Sequence, residues 1–97
     1  MAKKGYWVVG YKSVSNPAAM SEYAKLAPTA LEVLGGRVMV AGKPAKTHEA
    51  GVGDSVVVVE FDNVKTAIAA YDSDLYRPAL KAFDNAAQRD FRIVERR

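Results

Sequence analysis

Apolar residues in this chain fall in short unbroken runs, not in the strict alternation of a strand wetted on one side. The clearest run is Ser55-Val56-Val57-Val58-Val59-Glu60-Phe61. One alternate set (Val57, Val59, Phe61) is apolar, and the other (Val56, Val58) nearly so. A first candidate strand, about Tyr6 to Val14, behaves alike, with Trp7, Val9 and Tyr11 on one side and Tyr6 and Val8 on the other. Such runs predict burial of both strand faces.

Between these strands the period changes. Asn16-Pro17 reads as an N-cap followed by proline at the first helical position. Met20, Tyr23, Ala24, Ala27, Leu31 and Leu34 then share one helical face. Pro28 predicts a kink or a restart near Ala27, and Gly35-Gly36 a left-handed helix end. Arg37 to Ala41 is a short second strand, and Gly42 to Asp54 a loop. After the valine run, Asn63 or Asp62 caps a helix carrying Val64, Ala67, Ile68 and Tyr71. Asp72-Ser73-Asp74 marks a break and a new cap. A further helical stretch carries Leu75, Tyr76, Ala79, Leu80 and Phe83, with Pro78 tolerable in its first turn. Asp90 to Glu95 is the last strand.

The order is β-α-β-β-α-β, the split βαβ or ferredoxin-like arrangement of an α+β protein. Right-handed crossovers put the helices on one side of a four-stranded antiparallel sheet. The other side is left bare, and its apolar patch would exceed the ~300–600 Å² usual on a monomer. Two such faces packed about a two-fold axis solve the problem, so a homodimer through the helix-free faces is expected. The basic ends (Lys3, Lys4, Arg96, Arg97) should meet at one corner.

Composition narrows the chemistry. The 97 residues fit one domain, 1–97, of which 49% are hydrophobic and 26% charged. With no cysteine and one histidine, disulfides, thiolate chemistry and most metal sites are excluded. Gly51-Val52-Gly53 precedes a strand, whereas a phosphate-binding loop opens a helix. No cofactor or metal is therefore expected. No segment reads as a signal peptide or a bilayer span, so the expectation is a cytoplasmic protein without a membrane partner. A net charge of +3 sits mostly at the ends, as solvated tails do.

Several pieces together resemble the domain-of-unknown-function 1330 family (DUF1330), small bacterial proteins of the dimeric α+β barrel superfamily. They are Gly5-Tyr6-Trp7, then Tyr23, Pro28 and Leu31, then Gly35-Gly36-Arg37 and Val57-Val58-Val59-Glu60-Phe61, then Tyr71-Asp72-Ser73 with Tyr76, and Ala86-Ala87. The resemblance implies a ferredoxin-like fold and a dimer with facing sheets, and no established reaction. The chain departs from the pattern at Asp62, where a proline is expected, and at Ala70, where a tryptophan is. An arginine expected late in the second helical region is replaced near Phe83; Arg37 is the substitute anion ligand to consider.

Glu60 ends one row of the valine strand and is a candidate proton acceptor if partly buried; otherwise it pairs with a lysine or arginine. Arg37 could hold a carboxylate by a bidentate fork, or pair with Glu60. His48, in the long loop, is a weaker candidate base, and more simply a surface residue. Ser73 and Tyr76 could line a pocket, or Ser73 caps a helix while the tyrosines pack. RNA-recognition domains share the element order, but the third strand here lacks their basic and paired-aromatic pattern, so no nucleic acid is expected. The resulting expectation is a small organic, anionic ligand in a pocket between sheet and helices, lined by Tyr6, Arg37, Glu60, Ser73 and Tyr76. Related barrels often hold ligands there. A cofactor-free proton-transfer enzyme fits these residues; a non-catalytic interaction dimer is the alternative.

Overall fold

The computed structural model describes residues 2–97. Its elements are β1 (Gly5–Val14), α1 (Pro17–Val33), β2 (Arg37–Gly42), β3 (Val56–Phe61), α2 (Val64–Tyr71), α3 (Arg77–Phe83) and β4 (Ala87–Glu95). The strands form one antiparallel sheet in the order β2-β3-β1-β4. This is the ferredoxin-like topology, with the second helix divided at Asp72–Tyr76. The first and last strands are neighbours, and the Arg96 amide donates to the Lys4 carbonyl at 2.8 Å.

Local signals account for most boundaries. The Asn16 side chain accepts from the Ala19 amide at the start of α1, and Asn63 accepts from Thr66 at the start of α2. Gly35 ends the first helix with φ +87°, a conformation that costs glycine least. Asp84 and Asn85 end α3 in the left-handed region, at φ 43° and 55°. Short polar side chains tolerate that region better than bulky ones.

Two expectations need correction. No restart occurs at Pro28: α1 runs unbroken from Pro17 to Val33. Tyr23, Ala27 and Leu31 on its buried face hold it in place. Burial of the larger of these, at roughly 1.5–3 kcal/mol each, outweighs a cost of about 3 kcal/mol for an interior proline. The last strand also starts three residues earlier than Asp90. Ala87 pairs with Val14, past an irregularity in the ladder between Tyr11 and Ser13.

Burial resolves which strand face the helices cover. Trp7, Val9, Tyr11, Val59 and Phe61 are buried beneath them. The opposite rows carry Tyr6, Val8, Val56, Val58 and Glu60, and there Val8, Val40 and Val94 remain 38%, 50% and 46% exposed. An irregularity between Val38 and Val40 sets Val38 opposite Val59 and Ala41 opposite Val57, so both face the helices.

Trp7 anchors the covered side. Its indole Nε1–H donates to the Ala67 carbonyl at 2.7 Å, tying β1 to α2. Its ring lies 5.0–5.2 Å from Phe61, Tyr76 and Phe91, centroid to centroid. α2 comes close because Ala67 and Ala70 face inward. A Cβ on Gly5 would sit 2.7 Å from the Val64 backbone. Gly5→Ala is accordingly expected to destabilise the fold by about 1–3 kcal/mol. Gly53→Ala, whose Cβ meets nothing within 4 Å, should be near neutral. Urea denaturation of the two variants checks this.

Candidate functional site

α1 packs chiefly against α3 and touches the sheet less closely. The gap left beneath it is a cavity of about 230 Å³. Its floor is Trp7, Val9, Tyr11, Val57 and Val59, and its roof Met20, Tyr23, Ala27 and Leu31. Ala24 and Pro28 of α1 and Val38 and Ala41 of β2 line it and are exposed, which makes them the rim. Across the sheet from that rim, on β4, lie Arg89 and Phe91.

Arg89 is the one charged group of this lining. Its guanidinium carbon sits 4.2 Å from the Phe83 ring centroid and 5.2 Å from those of Tyr23 and Phe91. One Nη1–H donates to the Tyr23 hydroxyl at 3.1 Å. Tyr23 in turn shares a hydrogen bond with the buried Tyr76 hydroxyl. Arg37, Arg77 and Arg92 each form an ion pair with a carboxylate, and Arg89 forms none among the described residues. Burial pulls its basicity down, but the oxygens of Tyr23, Tyr76 and Tyr11 outweigh that, and its pKa lies above the ordinary value. Burial also raises the Tyr11 hydroxyl, and, with Tyr23 beside it, raises Tyr76 far above the usual phenol range. The polar lining consists of one guanidinium and the hydroxyls of Tyr11 and Tyr23. It contains no carboxylate or imidazole.

The residues singled out from the sequence divide between two faces of the sheet. Tyr6, Arg37 and Glu60 come together, but on the helix-free side. The Tyr6 hydroxyl donates to Glu60 Oε2 at 2.8 Å, and Arg37 Nε to Glu60 Oε1 at 3.1 Å. Asp62 adds ion pairs to Arg37 and Lys4, each at 3.1 Å. The Tyr6 hydrogen bond, then Arg37, holds the Glu60 carboxyl below its ordinary pKa. Glu60 is thus a stably ionised, paired carboxylate and not a base poised near neutrality.

Ser73 and Tyr76 lie on the helical side, and Ser73 serves the turn between α2 and α3. Its hydroxyl donates to the Ala70 carbonyl at 2.7 Å and accepts from the Tyr76 amide at 3.2 Å. Tyr76 backs the cavity through Tyr23. His48 is exposed in the loop before β3. Tyr6, Arg37, Glu60 and Ser73 do not line the cavity beneath α1. Arg89 is not among the sequence candidates because it precedes the last strand as expected from Asp90, and the strand in fact begins at Ala87. The one sequence signal was the family arginine expected near Phe83, the ring on which Arg89 rests.

Fold and cavity together define a small ferredoxin-like α+β protein with room beneath its first helix. The profile of the domain of unknown function DUF1330 matches residues 4–97, and the chain belongs to that family. No curated protein matches it in sequence. Among solved structures, it is similar to RPA0582, a protein of unknown function from Rhodopseudomonas palustris. That match has 15% identity and a TM-score of 0.73, covering 100% of this chain and 85% of the other. SnoaB, a cofactor-independent oxygenase from Streptomyces nogalater, matches with 12% identity and a TM-score of 0.66, covering 99% and 95%. At these identities the likeness establishes the fold.

The buried phenols make alkaline stability a test of the cavity wall. Tyr76 and Tyr11 hold their protons to higher pH when folded than the unfolded chain does. Their contribution is therefore fully present below about pH 10 and lost as pH rises beyond it. The urea midpoint is expected to fall above that pH. Tyr76→Phe should cost about 1 kcal/mol near neutrality and shrink the alkaline loss.

Proposed function

We propose that this protein binds a small organic molecule in the cavity between α1 and the sheet, and does so as a homodimer joined through its helix-free faces. One observation carries the binding reading. A core that otherwise buries its large side chains leaves about 230 Å³ open beneath α1, with an apolar rim and a single cation. Well-packed interiors keep few voids larger than a water molecule, so a space of this size and polarity fits a ligand.

The dimer rests on the bare sheet face. Val8, Val56, Val58, Val40 and Val94 form a continuous apolar strip there. It is flanked by the Arg37–Glu60–Asp62–Lys4 cluster at one end and the Asp90–Arg92 pair on β4. An apolar centre with a charged rim is the anatomy of a protein interface, and a second copy presents the same surface to itself.

Binding is favoured over proton-transfer catalysis because the cavity lining offers no base. Glu60, the strongest base candidate in the sequence, is ion-paired on the far side of the sheet. SnoaB, a cofactor-independent oxygenase, shares this fold, and a shared fold alone does not carry its activity to this chain.

A thermal-shift screen of small organic acids and neutral ring compounds is expected to yield stabilisers, because a ligand selective for the folded state raises the melting temperature. A flat response across such a set would remove the binding reading. Light scattering should give twice the chain mass. Val58→Asp, which puts a charge in the valine strip, is expected to halve that mass while the circular dichroism spectrum stays native.

A further inference from the structure

We infer that the ligand class of this cavity is a monocyclic aromatic monocarboxylate, with Arg89 as the residue that fixes its carboxylate. The inference rests on the proposal that the cavity is a binding site, and it adds charge, shape and size.

Charge comes from the one cation of the lining. A guanidinium withdrawn from water is costly unless it meets an anion or equivalent donors and acceptors. Arg89 has aromatic faces and the neutral hydroxyls of Tyr23, Tyr11 and Tyr76 around it, and no carboxylate. It has five N–H groups in a rigid fork; one donates to Tyr23, and the Tyr11 and Tyr76 hydroxyls lie beside it. None of its nitrogens is both buried and unpartnered. The remaining donors are therefore not sealed in the core, and on the cavity wall they can grip the two oxygens of a carboxylate. A phosphate dianion would call for more positive charge, and the lining offers no second cation.

Shape follows from the walls. Trp7, Tyr11, Tyr23 and Phe91 enclose the space with ring faces and edges. Rings pack on such walls edge to face or offset, with a gain beyond simple area burial. Size is limited by the volume. A cavity of about 150 Å³ accommodates benzene in another protein. The 230 Å³ here suits one ring with a carboxylate and a small substituent. It falls below the roughly 300–1,000 Å³ of sites for larger ligands. The rim at Pro28 and Val38 gives such a molecule a route in, carboxylate first.

The test is calorimetric titration of the whole protein with benzoate, benzamide, cyclohexanecarboxylate and phenyl phosphate, at concentrations to several times about 1 mM, since one ring and one ion pair imply weak affinity. Benzoate is expected to bind at least about tenfold more tightly than neutral benzamide, the factor a charged hydrogen-bonded pair supplies. It should also exceed cyclohexanecarboxylate and phenyl phosphate. Arg89→Gln should abolish the preference for benzoate over benzamide while leaving benzamide binding intact. Equal binding of benzoate and benzamide by the wild type would overturn the role of Arg89 and leave the cavity proposal standing. Equal or tighter binding of the cyclohexane acid or the phosphate would overturn the ligand class in the same way. If none of the four binds, this inference falls. Binding of other, larger organic compounds in the thermal-shift screen would then keep the cavity proposal alive, and a flat screen would remove both. The wild-type comparisons decide the matter even if Arg89→Gln fails to fold.

Discussion

The architecture depends on where the Trp7 indole sits. It is buried on the central strand, its N–H is satisfied by the Ala67 carbonyl, and three aromatic rings close around it. A buried indole without that acceptor would carry the cost of an unmade hydrogen bond, so the contact fixes the height of α2 above the sheet. The small inward residues Ala67 and Ala70 permit the approach. α1 is tied to the sheet through the Arg89–Tyr23 hydrogen bond on the β4 side and otherwise rests on α3. One helix is pulled down and the other left standing off. The cavity follows from that difference.

The two sheet faces carry opposite solutions to the same composition. On the covered side Trp7, Val9, Tyr11, Val59 and Phe61 are dry, and the lining's single cation lies against aromatic rings. On the bare side the carboxylates near the valine strip are paired: Glu60 with Tyr6 and Arg37, Asp62 with Lys4, Asp90 with Arg92. Paired charges are already answered and suit the margin of an interface. A cation without a carboxylate partner suits a ligand. This contrast is what supports the two proposals, small-molecule recognition beneath α1 and self-association on the opposite face.

Much of the fold was legible in the residues. The doubly apolar valine run, the caps at Asn16 and Asn63, the glycines after α1 and the break around Ser73 all act over a few positions, and local chemistry decides them. The alternative of an Arg37–Glu60 pair was also legible, because both residues stand at strand ends that neighbour each other in this topology. Pro28 misled because its cost is local, while the burial that outweighs it is tertiary. The cavity was not legible. It depends on the relative heights of two helices, and its one charged lining residue is Arg89. That arginine lies in a polar stretch whose strand character comes only from pairing with the distant end of β1. Which alternate rows lie beneath the helices was likewise hidden, since both rows of the valine strand are apolar.

Trp7 also supplies the most direct probe, because it is the only tryptophan in the chain and part of the cavity floor. A ligand seated beneath α1 must alter the surroundings of that indole. Titration of any compound with calorimetrically established binding is expected to produce a saturable change in Trp7 emission, with the same dissociation constant as the heat. Heat of binding with Trp7 emission and its quenching by acrylamide unchanged would put the ligand elsewhere and contradict the account.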